Sequence, residues 1–385
     1  MSHITKFRTT KENIIGPGSI QSLGEQIRAR GCEKPCIVTD PGLVESGIVD
    51  QIEKLLLDNG LKSIRFDEVE ADPKYEIVNK VTAFLAENKA DLVIGLGGGS
   101  SLDIAKISAA MVANEGNVEE YFGIELLAHK GLDLICVPTT AGTGSEVTPI
   151  VILSDEKNKL KKGIVSSHLF PDMAILDPEL TLGLPPHVTA ATGMDALIHA
   201  LEAYTSVNAV PMTDMFASQA ITMIANNLRT AYANSSNLQA RSKMLEGSML
   251  AGVAFANAGV TAVHAFAYPI GAEFHIPHGV ANTIMLIPVM EFNTVGNLDR
   301  FAQLADFLGQ NTKGLNKRQA AESAVQAVKD LATDLQVPSS LREFGVQESD
   351  ISDLAQGVMQ VSRLLANNPR TLQVRDAEEI YRNAL

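Results

Sequence analysis

The sequence pattern changes near residue 185, and this change limits the folds that the chain can adopt. Before it, short apolar runs alternate with amphipathic stretches, a pattern typical of strand–helix–strand units around a mainly parallel sheet. Strands are predicted at residues 36–39, 63–66, 92–95, 132–137 and 149–153. Helices are predicted between them at residues 43–57, 75–88 and 101–113.

After residue 185 the short apolar runs largely disappear, and long stretches rich in Ala, Leu, Met and Gln predict helices. These helices are predicted at residues 187–205, 213–233, 237–258, 279–297, 317–335 and 350–363. We therefore predict an α/β domain over residues 1–185 and an all-α domain over residues 186–385. The segment Leu-Gly-Leu-Pro-Pro at residues 182–186 is the predicted boundary.

The length and net charge of the chain limit the domain organisation and the partners that it can have. A chain of 385 residues exceeds one ordinary hydrophobic core, which also favours two domains. Its hydrophobic content of 45% is sufficient for buried cores and argues against extensive disorder. The formal net charge of −14 opposes binding to nucleic acid or to an anionic membrane, so neither is expected as a partner.

Three features predict a cytoplasmic protein. No segment approaches the roughly 18–20 consecutive apolar residues of a membrane span. Residues 1–11 lack the apolar stretch of a signal peptide. The three cysteines, Cys32, Cys36 and Cys136, form no framework of pairs, which is typical of a reducing compartment.

One carboxylate and three imidazoles are the strongest candidates for chemistry. Asp195 and His199 are four residues apart in an apolar, helix-like run, so both side chains lie on one helix face. His264 opens a second helix-like run, and His278 stands between a proline and a glycine that restrict the backbone. Such donors suit iron or zinc better than calcium or magnesium. A buried Asp paired with core histidines would give the same pattern without a metal, and the spacing favours neither interpretation.

A glycine cluster is the second candidate site. The apolar run at residues 92–95 leads into Gly97, Gly98, Gly99 and Ser100 and then into a predicted helix. Glycines let a phosphate approach the backbone, and a helix N-terminus offers unpaired N–H groups. The cluster departs from the standard dinucleotide fingerprint because a serine replaces its third glycine. A glycine-rich turn that only reverses the chain is the alternative.

Two more loops follow predicted strands at their carboxyl ends, where open α/β sheets bind ligands. Asp40 ends the strand at 36–39, where a carboxylate can accept hydrogen bonds from ribose hydroxyls and repel a 2′-phosphate. The same Asp before Pro41 could simply initiate a turn. Residues 138–148 form a loop rich in threonine and glycine after the strand at 132–137. Together these loops favour a nucleotide-binding cleft.

The chain resembles the iron-containing (group III) alcohol dehydrogenases, the family that includes lactaldehyde reductases and 1,3-propanediol dehydrogenases. The resemblance runs nearly end to end, and several motifs occur in the family's order. These motifs are GGGSSLDIAK (97–106), PTTAGTGSEVT (138–148), LKKGIV (160–165), GMDALIHALEAY (193–204), VHAFAYPIGAEF (263–274) and PHGVAN (277–282). The resemblance implies an N-terminal Rossmann-like dinucleotide-binding domain and an all-α C-terminal metal-binding domain.

The resemblance also implies roles for individual residues. The metal ligands would be Asp195, His199, His264 and His278, holding Fe²⁺ with Zn²⁺ as the alternative. The acid matching Asp40 accompanies a preference for NAD over NADP in the family. The expected NAD contacts are Asp40, Gly97, Gly98, Gly99, Ser100, Thr139, Thr140, Thr143 and Lys161. Lys161 lies in a basic run, and a solvated charged surface is the alternative for it.

The chain departs from the family at residue 268. Many members carry a histidine, a candidate for proton relay, four residues after the position of His264, and this chain has Tyr268 there. The reference pKa of tyrosine is about 10, against about 6.5 for histidine. A relay would need a shifted pKa at Tyr268 or another route, for which His275 is the second candidate.

The resemblance implies hydride transfer between NAD(H) and a short-chain primary alcohol or diol, with the metal acting as a Lewis acid on the substrate oxygen. A homodimer or higher homo-oligomer is expected. Polyol dehydrogenases of the glycerol type and dehydroquinate-synthase-like cyclases share the glycine loop and the metal-binding helices, so both are alternatives. A cyclase needs several Lys and Arg residues for a phosphorylated substrate, and residues 190–282 contain few. A nucleotide-binding protein without catalytic activity is the third interpretation.

Overall fold

The computed structural model describes residues 4–155, 157 and 160–385, without the side chain of Leu160. These residues form two compact units. The sheet unit comprises Thr9–Thr140 and Gly144–Gly183, and the helical unit comprises Leu184–Leu385 with Ala141–Thr143 and the described residues up to Arg8. The division predicted at residue 185 had placed residues 4–8, 141–143 and 184–185 in the first domain.

Two sheets form the sheet unit. Their strands are Glu12–Ile15 (β1), Pro35–Val38 (β2), Ile64–Phe66 (β3), Leu92–Gly97 (β4), Gly123–Ile124 (β5), Asp133–Pro138 (β6), Ile150–Asp155 (β7), Leu160–Val165 (β8) and Met173–Leu176 (β9). The main sheet has the order β1-β9-β6-β4-β2-β3, and all its pairings are parallel. The smaller sheet has the order β5-β8-β7, and β7 pairs with β8 antiparallel.

Helices cover both faces of the main sheet. They are Leu23–Ala29 (α1), Pro41–Glu45 (α2), Ile48–Asp58 (α3), Glu76–Glu87 (α4) and Gly99–Met111 (α5). Successive side chains of β4 point to opposite faces, so Val93 packs in the cluster that includes α4 and α5 and Ile94 packs in the cluster that includes α1 and α3. Burial on both faces explains why the central strands are continuous apolar runs.

The helical unit contains helices throughout. They are Pro186–Thr205 (α6), Pro211–Ala233 (α7), Leu238–Ala258 (α8), Ala262–Phe274 (α9), His278–Thr294 (α10), Leu298–Phe307 (α11), Lys317–Asp334 (α12), Ile351–Gln360 (α13), Ser362–Leu365 (α14) and Val374–Asn383 (α15). Among the described residues, no single helix is long and apolar enough to cross a membrane. The pair α8 and α9, bent by 101°, meets the length and composition criteria only when taken together.

The predicted fold class, an N-terminal α/β region followed by an all-α region, is confirmed. One predicted strand is placed differently. The run at 149–153 is β7, which lies in the smaller sheet and alternates between buried and half-buried side chains, unlike the fully buried β4. The predictions missed β1, β5, β8 and β9, which are short or polar, and the helices α1, α11 and α15. The helix predicted at 43–57 is divided into α2 and α3.

Gly95→Ala is expected to destabilise the sheet unit, because a Cβ at position 95 would lie 2.8 Å from the Cβ of Ala105 in α5. Relief requires a shift of α5 against β4, and such overpacking typically costs about 1–3 kcal/mol. Thermal unfolding should therefore show a lower Tm. Gly183→Ala is the control, since a Cβ added there meets nothing within 4 Å. Equal Tm values for the two variants would contradict the packing argument.

Candidate metal centre and dinucleotide-binding loops

Helices α6, α9 and α10 bring the four predicted ligands together. Asp195 and His199 lie one turn apart on α6, His264 is the third residue of α9, and His278 begins α10. Asp195 Oδ1 is 3.7 Å from His264 Nε2 and 3.8 Å from His278 Nε2, and Asp195 Oδ2 is 3.7 Å from His199 Nδ1. Three of these side chains are buried, whereas that of His278 is 29% exposed.

Two of the imidazole nitrogens at this centre lack hydrogen-bond partners among the described residues. They are Nδ1 of His199 and Nε2 of His264, both buried and both facing Asp195. One ligand atom from each of Asp195, His199 and His264 falls within 4.8 Å of the others. Buried polar atoms are nearly always paired, so these orphaned nitrogens mark a site that a cation would complete. One carboxylate oxygen and three imidazole nitrogens fit Fe²⁺ or Zn²⁺.

The protonation states of Asp195 and His199 suit a metal ion. Burial lowers the pKa of His199 to about 4, so its imidazole is neutral at pH 7. Burial alone would raise the pKa of Asp195, but the neighbouring histidines and the amide of Asn282 outweigh burial and hold that pKa below its usual range. A carboxylate and a neutral imidazole are the forms that bind metals. The ring of Phe255 stacks on His199 at 4.3 Å between centroids and fixes its plane.

Glu202 was not among the predicted site residues, although it belongs to the same motif as Asp195 and His199. Its carboxylate is buried and forms a hydrogen bond with Nδ1 of His264. Burial alone would lower the pKa of His264, but Glu202 outweighs burial and raises it. The spacing offered a signal, because residue 202 lies three positions after His199 and seven after Asp195, on the same helix face.

Asn282 is a second residue that the sequence analysis did not single out. It lies one turn after His278 on α10, and its amide donates to Asp195 Oδ1 at 2.8 Å. The same amide nitrogen lies 3.1 Å from Nε2 of His278. Asn282 therefore orients the carboxylate that faces all three imidazoles.

The two candidates for proton relay occupy different environments. The ring of Tyr268 is half-buried, and its centroid lies 6.4 Å from that of His278. His275 ends α9 in the left-handed conformation, with φ of 54°, and its side chain is exposed. The relay role of both residues stays a prediction.

The glycine loop lies in the sheet unit at the end of β4. Gly97 has φ of +146°, and a Cβ there would lie 2.7 Å from Ser101 and 3.1 Å from Asp40 Oδ2. Gly98 is the N-cap of α5, and Gly99 and Ser100 are its first residues. The loop therefore exposes the N-terminus of a 13-residue helix, an arrangement that suits a phosphate group.

Asp40 caps a helix and also contacts the residue that follows the glycine loop. Its Oδ1 accepts from the backbone N–H of Leu43 at 3.1 Å and caps α2, as the turn interpretation requires. Its Oδ2 accepts from the hydroxyl of Ser101 at 3.1 Å, next to the glycine loop. The carboxylate is therefore beside the phosphate-binding candidate as well as at a helix cap.

The remaining predicted cofactor residues are spread over three segments. Thr139 donates its backbone N–H to the carbonyl of Gly97 at 3.0 Å, and the side chain of Thr140 adjoins Gly98, so both threonines lie beside the glycine loop. Thr143 belongs to the segment Ala141–Thr143, which groups with the helical unit. Lys161 lies on β8, where its Nζ is 2.5 Å from Asp72 Oδ1 and its side chain is largely buried. Lys161 is thus not part of a solvated charged surface.

A buried ion pair, unnoticed in the sequence, connects the two loops. Lys106 of α5 is fully buried and donates to Ser145 O at 3.0 Å, Thr148 Oγ1 at 3.2 Å and Ile150 O at 2.6 Å. Asp103, one turn earlier, accepts from Ser145 Oγ at 2.5 Å. These bonds fasten the helix after the glycine loop to the segment after the threonines.

Family models match both parts of the chain. The model described as iron-containing alcohol dehydrogenase matches residues 10–178. The model described as Fe-containing alcohol dehydrogenase family, C-terminal, matches residues 189–385. The two matches together cover most of the sequence, including the glycine loop and all four metal-ligand candidates.

Individual relatives agree with the family models. Long-chain-alcohol dehydrogenase 1 of Geobacillus thermodenitrificans is 42% identical over 373 residues, which are 96% of this chain and 94% of that protein. The NAD-dependent methanol dehydrogenase of Bacillus methanolicus is 35% identical over 382 residues, 99% of this chain and 100% of that protein. A crystal structure of a 1,3-propanediol oxidoreductase has a TM-score of 0.97 at 39% identity and covers 100% of both chains. The chain therefore belongs to the iron-containing alcohol dehydrogenase family and is an oxidoreductase that interconverts alcohols and aldehydes.

Proposed function

We propose that this chain is an Fe²⁺- and NAD-dependent alcohol dehydrogenase that acts on short-chain primary alcohols or diols and on the matching aldehydes. The observation that carries the proposal is the pair of orphaned imidazole nitrogens facing Asp195. Relatives named for long-chain alcohols, methanol and 1,3-propanediol support an alcohol substrate but differ in its size.

Asp195, His199, His264 and His278 are the proposed metal ligands, and the bound ion supplies Lewis-acid stabilisation of the substrate oxygen. The chain's own contribution is to keep these donors in place. Asn282 holds the carboxylate of Asp195, and Phe255 holds the ring of His199. The donor set also accommodates Zn²⁺, and iron is preferred here because the matching family is described as iron-containing.

NAD is the proposed cofactor, and it supplies the hydride acceptor when bound. We infer that the N-terminus of α5, with Gly97, Gly98, Gly99 and Ser100, receives the pyrophosphate. Asp40 accepts hydrogen bonds from the ribose and disfavours a 2′-phosphate. The remaining proposed contacts are Thr139, Thr140, Thr143 and Lys161. The NAD-dependent relative supports this choice of cofactor.

The cations of the helical unit disfavour a cyclase acting on a phosphorylated substrate. Within residues 190–282, Arg229 pairs with Asp334, and Lys243 pairs with Glu246. Arg241 is buried and donates to Thr189 Oγ1 and to backbone carbonyls. All three cations are therefore engaged in structural bonds. The similarity to alcohol dehydrogenases also favours the oxidoreductase over the alternatives.

The cellular setting of the enzyme is also proposed. Cys32, Cys36 and Cys136 are buried free thiols, which suits the cytoplasm. A homodimer or higher homo-oligomer remains our expectation, and the net charge of −14 continues to disfavour nucleic-acid and membrane partners.

Asp195→Ala and His264→Ala are expected to abolish turnover and to strip the metal while leaving NAD binding largely intact. Each removes a direct ligand, so metal affinity should fall by more than the roughly 100-fold that loss of an outer hydrogen-bond partner costs. Elemental analysis and NAD titration measure the two effects. His187→Ala, an exposed histidine on α6, is the control. Full metal occupancy in both ligand variants would refute the proposed centre.

Asp40→Gly should raise the use of NADP relative to NAD, because the substitution removes a negative charge next to the ribose. It also removes the cap of α2, so Asp40→Asn is the sharper variant: it keeps an oxygen for the N–H of Leu43 and loses only the charge. We expect the ratio of kcat/KM for NADP to that for NAD to rise roughly tenfold in both variants, equivalent to about 1.4 kcal/mol. An unchanged ratio in Asp40→Asn would leave Asp40 only its capping role.

Tyr268→Phe is expected to lower kcat only slightly, because the ring and its packing are retained and a bound metal would lower the pKa of the alcohol without help from the hydroxyl. If the hydroxyl relays the proton, its loss should instead slow turnover by roughly 10²–10⁴-fold, the usual contribution of general acid–base catalysis. Steady-state kinetics on protein with verified metal content distinguishes the two outcomes. A loss of more than about 100-fold would establish the relay and contradict our expectation.

A further inference from the structure

Glu202 is a buried carboxylate that forms no ion pair with a lysine or arginine of the described chain. Its side chain is 3% exposed, and its bonding partners are Thr261, Val263 and His264. A buried carboxylate that has no lysine or arginine partner depends on its other bonding partners for stabilisation. All three partners lie at the beginning of α9, the helix that carries His264.

The first carboxylate oxygen of Glu202 caps α9. Its Oε1 accepts from the backbone N–H of Val263 at 2.7 Å and from the hydroxyl of Thr261 at 2.7 Å. Thr261 is the N-cap residue, but its side chain forms no cap hydrogen bond. Glu202 therefore supplies from α6 the acceptor that an N-cap side chain normally provides. Its negative charge also lies at the positive end of the helix dipole.

The second carboxylate oxygen fixes the ring of His264. Oε2 accepts the proton on Nδ1 of His264, which leaves Nε2 as the nitrogen with a free lone pair. That Nε2 atom faces Asp195 Oδ1 at 3.7 Å and has no hydrogen-bond partner among the described residues. The carboxylate of Glu202 thus attaches the N-terminus of α9 to α6. It also selects the tautomer of His264.

We propose that Glu202 is a positioning residue that organises the metal centre in advance, by holding His264 with Nε2 directed at Asp195 before any ion binds. The proposal rests on the proposed metal site. A bond from the second nitrogen of a ligating histidine to a carboxylate fixes the orientation of the ring and raises its basicity. Glu202 joins the helix with two of the ligands to the helix with the third.

Glu202→Gln tests the proposal because it replaces one carboxylate oxygen with an NH₂ group. The amide oxygen is needed by the N–H of Val263 and the hydroxyl of Thr261, so the amide NH₂ group must face Nδ1 of His264. An NH₂ group donates, which forces the proton of His264 onto Nε2 and blocks the lone pair that faces Asp195. The variant keeps the size of the side chain and the cap of α9.

The experiment uses Co²⁺ as the probe and the full-length, metal-free protein. Titration followed by the visible absorption of Co²⁺ should show an affinity roughly 10–100-fold lower in Glu202→Gln than in wild type. Nitrogen-15 NMR of labelled histidine should report the Nδ1–H tautomer for His264 in metal-free wild type and the Nε2–H tautomer in the variant. Glu246→Gln, the same substitution in the surface pair with Lys243, is the matched control.

The outcomes separate the two proposals. If wild type binds Co²⁺ and the Co²⁺ affinity of Glu202→Gln is within about threefold of the wild-type affinity, the positioning role is wrong and the metal site stands. If wild type fails to bind Co²⁺, the proposed metal site itself fails. If the variant does not fold, the wild-type measurement decides, because an Nε2–H tautomer of His264 in the metal-free protein would overturn the proposal.

Discussion

The buried carboxylate of Asp195 is the constraint on which the helical unit depends. Removing an ionised group from water is costly unless it is paired, and the protein surrounds this one with three imidazoles and the amide of Asn282. The amide gives a true hydrogen bond, whereas the imidazoles stand 3.7–3.8 Å away, too far for one. Asp195 therefore has no hydrogen bond to the three imidazoles that face it, an arrangement that fits the proposed cation site.

Lys106 in the sheet unit is a buried charge with a structural role. The ammonium group of Lys106 donates to side-chain and backbone oxygens of residues 145–150 and lies 3.7 Å from Asp103. Its bonds are complete within the protein, and it stabilises two loops against one another. At Asp195, by contrast, two neighbouring nitrogens remain unsatisfied.

Local patterns in the sequence predicted the features that depend on local interactions along the chain. The α/β and all-α regions follow from hydrophobic periodicity, and the shared face of Asp195 and His199 follows from helix geometry. That His264 and His278 reach the same carboxylate depends on how α9 and α10 pack against α6, which no spacing encodes. The resemblance to a family bridged that gap. The ion pair of Lys161 with Asp72 joins residues 89 positions apart and was likewise beyond periodicity. Glu202 could have been found, since it shares the helix face of His199.

The unequal exposure of the four proposed ligands has a kinetic consequence. Asp195, His199 and His264 are buried, and His278 alone is 29% exposed, so solvent reaches the centre from the side of His278. An ion held by all four residues would meet solvent at His278, the most exposed of the proposed ligands. The lifetime of such an ion would then depend most on this one partly exposed imidazole. Exchange of that ion with the surroundings would therefore depend on α10, which begins at this residue.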